Sequence, residues 1–312
     1  MKFSIVVATY NRAEKLQKCV RSIMAQSYRD FELIVVDDGS TDDTEKVMKP
    51  FLADRRVRFI TLGKNHGSAT AARNRGIEEM TGNSLIIWDS DDELYPHALA
   101  MLAEIHQRFP EIVYVCANTD WIQSGKTIEE ENSGEIRRLS YIDWFGGKRP
   151  RHAEVISVLR SAVGDVRFKS RGVDFMFYAE ILGNTHSDIY YIHESCGRIF
   201  LESDMLSLTS ARRRLNGPLS LERGPILADF LDTYGRLYIE YSPALYGSYA
   251  YGASVGLLLA RKSKRAREFA YDAARYQPRA RYWGFYMFSL IPFSSALLRV
   301  LFAIKGRLQK VR

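Results

Sequence analysis

Apolar residues in the first third of this chain fall into short runs that stop abruptly at polar or acidic clusters. Residues 3–8 lead into Thr9, Tyr10 and Asn11, residues 32–36 into Asp37, Asp38, Gly39 and Ser40, and residues 84–88 into Asp89, Ser90, Asp91 and Asp92. Short, nearly continuous runs rich in β-branched residues predict strands covered on both faces. Residues 57–62 predict another strand. Between the runs the period changes. Leu16, Cys19, Val20, Ile23 and Met24 share one helical face, introduced by Asn11 with Glu14 three places on, the spacing of a capping box. Residues 68–80 and 96–109 predict two more helices, the first stopped by Thr81-Gly82. Strands alternating with helices predict a largely parallel α/β sheet. Ligands of such sheets bind beyond the carboxyl ends of the strands, where Thr9, Asp38 and the Asp89 to Asp92 cluster would gather.

Three carboxylates in four positions are the strongest chemical feature. Ionised carboxylates held close raise each other's pKa, so a site that keeps them together calls for a divalent cation or strong donors. Hard oxygen ligands suit Mg²⁺ or Mn²⁺, which commonly share their shell with substrate phosphates. The same residues could also cap the helix after Pro96, and the wider pattern decides between the two readings.

That pattern is a series of four motifs in order: residues 4–12 (Ser-Ile-Val-Val-Ala-Thr-Tyr-Asn-Arg), 35–42 (Val-Val-Asp-Asp-Gly-Ser-Thr-Asp), 72–77 (Ala-Arg-Asn-Arg-Gly-Ile) and 88–92 (Trp-Asp-Ser-Asp-Asp). Together they resemble the successive motifs of the family 2 glycosyltransferases, over about the first two thirds of the chain. The resemblance implies the GT-A fold, a Rossmann-like, mostly parallel mixed sheet flanked by helices. It also implies inverting transfer of a sugar from a nucleotide-diphosphate donor to an acceptor hydroxyl. By resemblance Thr9, Tyr10 and Asp38 serve the nucleotide, with Asp38 accepting the imide N–H of uracil or thymine, and Arg73 reaches the donor phosphates. Asp91 or Asp92 ligates the Mn²⁺ or Mg²⁺, while Asp89 or the remaining carboxylate binds ribose hydroxyls. Asp37 has an equal claim to capping the turn and a helix near Thr41. The family's general base, an acid at the start of a helix after a glycine, maps to Asp174 in Arg171-Gly172-Val173-Asp174, where Val173 replaces the usual first acid. Asp174 would equally cap a helix over residues 175–182.

Later segments add organisation. Residues 112–117, 166–169 and 189–193 predict further strands, with His193 at a strand end, and residues 121–150 predict hairpins and loops that carry acceptor contacts. His66-Gly67 reads either as a turn that can approach a nucleotide or as an ordinary loop position. The run Arg212, Arg213, Arg214 reads either as a clamp on an anionic substrate or as a solvated charge run. Helices are expected over 221–241, 244–259 and 264–276. We therefore expect a catalytic domain over 1–216, with a nucleotide-sugar half to about 118 and an acceptor half over 119–216. A helical appendage over 217–312 completes the chain.

Composition excludes several classes. Three cysteines without paired spacing give neither a disulfide framework nor a zinc site, and no secretory pattern precedes the first strand, so a cytoplasmic protein is expected. The stretch from Arg261 onward, where only Glu268 and Asp272 are acidic, is enough to account for the whole net charge of +7. This charge lies beside the aromatic, apolar residues 282–298, which Pro292 interrupts and which are too short for a span. This favours an interfacial helix on an anionic membrane surface, with Trp283 and Tyr286 at the headgroups, over burial against the protein. Basic residues gathered in a tail argue against nucleic acid. The expected partners are a nucleotide-sugar donor, UDP-sugar foremost, and a saccharide or lipid-linked acceptor of cell-surface polysaccharide or glycolipid synthesis. Two rival functions are a catalytically inactive sugar-nucleotide-binding module and a sugar-nucleotide pyrophosphorylase. The second would carry a Gly-rich N-terminal phosphate loop, which Thr9-Tyr10-Asn11-Arg12 is not.

Overall fold

The computed structural model describes residues 1–123, 126–128, 132–148, 150, 153–169, 174–201, 219–292 and 294–308. Gly172, Val173 and the Arg212 to Arg214 run lie outside the described residues. The chain divides into two compact units: residues 1–141, 149–168 and 177–203 form the first, and residues 142–148, 169–176 and 204–312 the second.

The first unit is a mixed sheet flanked by helices. Its strands are β1 (Phe3–Thr9), β2 (Phe31–Asp37), β3 (Val57–Thr61), β4 (Ser84–Asp89), β5 (Glu93–Leu94), β6 (Tyr114–Gln123), β7 (Lys126–Ile128), β8 (Ile136–Leu139), β9 (Val155–Leu159) and β10 (Ile189–Leu201). Their order is β3-β2-β1-β4-β9-β6-β10-β5, with β7 paired to β6 and β8 to β10. Strands β1 to β4 run parallel, because each is followed by a helical crossover: α1 (Ala13–Met24), α2 (Thr44–Met48) and α3 (Ala69–Glu79). Helix α4 (Ala98–Arg108) follows β5, and the apolar faces of α1 and α4 join β1, β2 and β6 in one buried core. Gly76 lets α3 lie directly on β1, since a Cβ there would stand 2.2 Å from Val6 Cγ1.

The strands predicted over 3–8, 32–36, 57–62 and 84–88 and the helices over 68–80 and 96–109 recur within two residues of their expected ends, the strand predicted over 112–117 starts at Tyr114 and runs on to Gln123, and three further expectations are corrected. Helix α1 is not capped by the Asn11 and Glu14 pair. Its N-terminal amide of Ala13 is held at 3.0 Å by Asp42 from the next loop, while Asn11, at φ +49°, accepts the amide of Thr41 at 2.7 Å. Residues 166–169 do not form a strand. They are extended chain whose Phe168 N–H and C=O are both bound by the Asn74 side chain at 2.9 Å. The missing strand is β9, which no reading of the sequence anticipated. It runs antiparallel between β4 and β6, after the short helix α5 (Tyr141–Phe145) and before α6 (Arg160–Val163). His193 lies within β10 rather than at a strand end, and its Nδ1 shares a hydrogen bond with Ser133 Oγ at 2.7 Å.

Insertion of β9 buries polar groups, which pair with one another. Ser157 Oγ meets Ser84 Oγ at 2.6 Å and His106 Nε2 at 2.9 Å. Burial outweighs a backbone hydrogen bond and lowers the His106 pKa to about 4, so the ring is neutral at pH 7. At the same end of the parallel strands Glu32 is buried. Burial alone would raise its pKa, but hydrogen bonds from Ser4 and Thr81, and then Lys2, bring it down to about 2.

The second unit is helical: α7 (Asp174–Thr185) begins in it, followed by α8 (Leu219–Tyr241), α9 (Pro243–Leu259), α10 (Ser263–Tyr276), α11 (Ala280–Leu290) and α12 (Ser294–Leu308). Helix α9 is buried along most of its second half, with Tyr251 stacking on Tyr282 of α11. The single interfacial helix expected over 282–298 is two helices, broken at Ile291-Pro292, because proline cannot supply the next amide of a helical ladder. Among the described residues no helix is long and apolar enough to cross a membrane.

The lowered pKa of His106 fixes a direction for acid sensitivity. Below the unfolded value near 6.5 the unfolded chain takes up a proton that the native ring refuses, so stability falls as pH drops from 6.5 toward 4. Urea melts at pH 7, 6, 5 and 4.5 should lose on the order of 2 kcal/mol more in the wild type than in His106→Gln. Parallel losses in the two proteins would contradict the assignment.

Candidate active site at the carboxyl ends of strands β1, β2 and β4

Register brings the polar strand ends side by side. Thr9 at the end of β1 pairs with Asp37 of β2, and Ala8 on the other side pairs with Asp89 of β4. Thr9, Asp37, Asp38 and the Asp89 to Asp92 cluster therefore share one edge, as the parallel order requires. Asp37 takes the capping role open to it: Ser40 N–H donates to its carboxylate at 3.1 Å, and Ser40 Oγ donates as well. The helix expected near Thr41 starts at Thr44, bound through its amide to Asp42 at 3.1 Å. Tyr10 is exposed, and Thr9 Oγ1 is buried with no hydrogen-bond partner among the described residues.

Asp38 is buried and held by His66, for which the sequence left open a turn near the nucleotide or an ordinary loop position. The His66 amide donates to Asp38 Oδ2 at 2.9 Å, and His66 Nδ1 lies 2.6 Å from Oδ1. Gly39 makes this possible. Its φ of +77° suits glycine, and a Cβ there would meet the Lys64 carbonyl carbon at 2.6 Å, so any side chain would push away the loop that carries His66. An ionised carboxylate has about four lone-pair sites, so two bonds from His66 leave Asp38 able to accept another donor.

The carboxylate oxygens of Asp89, Asp91 and Asp92 lie within 4.8 Å of one another. Their exposures differ sharply: 58% for Asp89, 18% for Asp91 and 4% for Asp92. Each has a distinct protein partner. Arg73 Nη2 donates to Asp89 Oδ1 at 2.7 Å while its guanidinium lies 5.2 Å from the Phe168 ring. Arg12, which sequence reasoning gave no role, pairs with Asp91. The Phe200 amide donates to Asp92 Oδ1 at 2.9 Å, and Trp88 Nε1 donates to the Asp92 carbonyl at 3.2 Å. These bonds do not offset the crowding. Burial, then the charges of Asp89 and Asp91, hold the Asp92 carboxyl up at about 9, and burial with Asp89 raises Asp91 despite Arg12. Three hard oxygen donors, one of them a buried carboxyl that the protein leaves under-neutralised, fit a divalent cation such as Mn²⁺ or Mg²⁺.

Cys19 is excluded as a nucleophile at this edge. It is fully buried on α1, its thiol lies 3.5 Å from the Asp89 carbonyl oxygen, and burial together with the nearby acids pushes its pKa well up. Asp174 is the first residue of α7 and belongs to the second unit, and its side chain is outside the described residues. A further polar recess of about 600 Å³ in the first unit, also absent from the sequence reading, is lined by Tyr95, His97, Asp120, Ser195 and Arg198. There Asp120 accepts from Tyr95 Oη at 2.6 Å and from the Ser195 hydroxyl.

The family model described as glycosyl transferase family 2 matches residues 4–161. The uncharacterized glycosyltransferase YibD of Escherichia coli is 27% identical over 216 residues, 62% of either chain. The teichoic acid poly(glycerol phosphate) polymerase of Staphylococcus epidermidis is 40% identical over 105 residues, 33% of this chain and 14% of that protein. The chain thus spans less than two thirds of these relatives' own lengths. Among solved structures, S. aureus TarS 1–349 in complex with UDP-GlcNAc superposes with a TM-score of 0.59 at 18% identity, covering 89% of each chain. The mannosyltransferase PcManGT of Pyrobaculum calidifontis, in complex with GDP-Man and Mn²⁺, gives 0.54 at 16% identity, covering 99% of this chain and 87% of that one.

Crowding at Asp92 predicts a gain from neutralising it. Between the unfolded carboxyl value and about 9 the native state must hold a proton there, and stability is lost as pH rises through that window. Asp92→Asn keeps an oxygen for the Phe200 amide and removes the charge. The metal-free variant should therefore melt a few degrees above wild type at pH 7.5, a gain on the order of 2 kcal/mol, and should lose stabilisation by Mn²⁺. A lower melting temperature in the absence of metal would refute the crowding argument.

Proposed function

The chain belongs to glycosyl transferase family 2, and on that premise we propose that it is an inverting glycosyltransferase that moves a sugar from a UDP-sugar to an acceptor hydroxyl. The observation that carries the proposal is the convergence, on one sheet edge, of the buried Asp38, the orphaned Thr9 hydroxyl and three crowded carboxylates. The acceptor class we favour is a saccharide or lipid-linked saccharide of cell-surface polysaccharide or glycolipid synthesis. The likeness of 105 residues to a teichoic acid poly(glycerol phosphate) polymerase is consistent with that class.

In this reading Thr9, Tyr10 and Asp38 recognise the base, Asp38 accepting the N3–H of uracil. The His66 backbone N–H orients that carboxylate by donating to it. Cytosine, which lacks the proton, would set two acceptors against each other. Asp89 binds ribose hydroxyls and keeps Arg73 directed at the donor phosphates. Asp91 and Asp92 are the residues that would hold Mn²⁺ or Mg²⁺, which supplies charge neutralisation on the departing diphosphate when bound. Arg12 fixes Asp91 from the side and limits its rotation.

Asp174 is the general base in this proposal. It takes the acceptor proton as the acceptor oxygen bonds to the anomeric carbon, the bond from that carbon to the diphosphate oxygen breaks, and UDP leaves with the electron pair. Attack opposite the leaving group inverts the anomeric centre. Position at the first turn of α7 favours a carboxylate there, because the helix N-terminus carries partial positive charge.

Thermal shift with UDP-, dTDP- and GDP-sugars, each with and without Mn²⁺, tests the donor reading. UDP-sugars with Mn²⁺ should give the largest stabilisation, about 2–3 kcal/mol at a hundredfold excess over Kd. Selective stabilisation by GDP-sugars, or stabilisation indifferent to Mn²⁺, would overturn the roles of Asp38 and the acidic cluster. Donor turnover separates enzyme from inactive module: Asp174→Ala should keep donor binding and lose at least about a hundredfold in turnover. Wild type that binds donor yet neither transfers nor hydrolyses it would favour the module.

A further inference from the structure

Large apolar side chains left in solvent are concentrated in one short part of the chain. Tyr271, Trp283, Met287, Leu290, Ile291, Leu297, Val300 and Leu301 are all exposed, Met287 at 60% and Val300 at 54%. They are not scattered. On α11, Trp283, Met287 and Leu290 recur at helical spacing on one face and continue into Ile291 at the break. On α12, Leu297, Val300 and Leu301 recur in the same way. Neighbouring positions are buried: Tyr282 and Ser289 on α11, with Tyr251 of α9 against Tyr282 and Phe285, and Ser294 and Leu298 on α12. Each helix therefore buries part of its surface in its own unit and leaves these apolar residues uncovered. Large apolar side chains exposed in this number on two consecutive helices are of the kind that marks a contact surface.

Charge identifies the occupant. Residues 261–312 hold thirteen Lys and Arg against Glu268 and Asp272, a net of +11, whereas residues 1–260 carry a net of −4. Arg275, Arg279 and Arg281 are exposed beside the start of α11, and Arg299 is exposed on α12, where its guanidinium donates to the Leu259 carbonyl at 2.9 and 2.7 Å. A second copy of this chain docking through the same face would set one strongly basic segment against another. An anionic surface is attracted instead. The aromatic residues fit the same occupant. Tyr271, Trp283 and Tyr286 meet one another with ring centroids 5.5 to 6.4 Å apart, forming a cluster of amphipathic rings of the kind enriched at headgroup depth.

We propose that α11 and α12 dock this protein in the plane of an anionic lipid bilayer. The exposed faces of Trp283, Met287, Leu290, Ile291, Leu297 and Val300 enter the acyl boundary while the flanking arginines pair with lipid phosphates. Neither helix is long and apolar enough to cross a bilayer, and the break at Ile291-Pro292 divides the apolar stretch into two segments that lie along a surface. The proposal rests on the second unit alone and stands or falls independently of the donor chemistry.

Co-sedimentation of the full chain with phosphatidylcholine vesicles, with and without about 30% phosphatidylglycerol, tests it. At least about tenfold more protein should pellet with the anionic vesicles, and about 0.5 M salt should cut that binding several-fold. Met287→Asp with Ile291→Asp alters two exposed side chains, so it should leave the thermal melt unchanged and release the protein from the vesicles. Wild type left in the supernatant with anionic vesicles, equal binding to both compositions, or a folded double variant that still pellets would overturn the proposal. So would a concentration-dependent dimer, abolished by the double variant, in a protein that ignores vesicles.

Discussion

Three carboxylates crowded at the end of β4 are the constraint on which the active edge depends. Two of the three are largely withdrawn from water, and the groups around them neutralise only part of their charge: Arg73 holds Asp89, Arg12 holds Asp91 with Lys15 adding to it, and among the described residues the Phe200 amide reaches Asp92. Burying a carboxylate without full compensation opposes folding, so such a cluster persists where the cation and ligand that complete it are also the point of the protein. Much of the surrounding structure serves to keep these groups in place. Gly76 brings α3 against β1 and so carries Arg73 to the strand ends, Phe168 lies beside the Arg73 guanidinium, and Asn74 pins Phe168 by both of its backbone groups.

A second constraint works on the nucleotide side. The loops after β1 and β2 are tied to each other, Asn11 to Ser40 and Thr41 and Asp42 to the first amide of α1, so neither strand end can move alone. Gly39 then allows the Lys64 to His66 loop to close on Asp38. The result is one acidic edge with two differently prepared regions: an oriented carboxylate with acceptor capacity remaining at Asp38, and an under-neutralised cluster at Asp89 to Asp92. That division suits a ligand with a hydrogen-bonding base at one end and phosphates at the other.

Local patterns carried most of this. Continuous apolar runs ending in acids placed β1, β2 and β4 and their carboxylates, because strand burial and side-chain charge are both written residue by residue. What escaped was set by partners distant in sequence. Strand β9 has an ordinary apolar run broken by Ser157, and its place between β4 and β6 depends on the hydrogen bonds that Ser157 makes with Ser84 and His106. The cap on α1 comes from Asp42, twenty-nine residues from the amide it holds, so the nearby Asn11 and Glu14 spacing was a false lead. Arg12 looked ordinary, and the part of His66 stayed open between a nucleotide-side turn and a plain loop, because their partners, Asp91 and Asp38, meet them only after the sheet has formed. In the second unit the helices were legible from their period. The break at Ile291-Pro292 was signalled by the proline, yet the reading took residues 282–298 as one helix.

Counting Mn²⁺ by electron paramagnetic resonance at pH 8, in wild type and in a variant carrying both Asp91→Asn and Asp92→Asn, tests the central claim most directly. The account predicts one bound ion per wild-type chain, none in the folded variant, and an altered Mn²⁺ spectrum when UDP is added to the wild-type complex. Wild-type protein that binds no Mn²⁺ with UDP present, or a variant that binds it equally well, would show that the crowded carboxylates serve some purpose other than holding a metal.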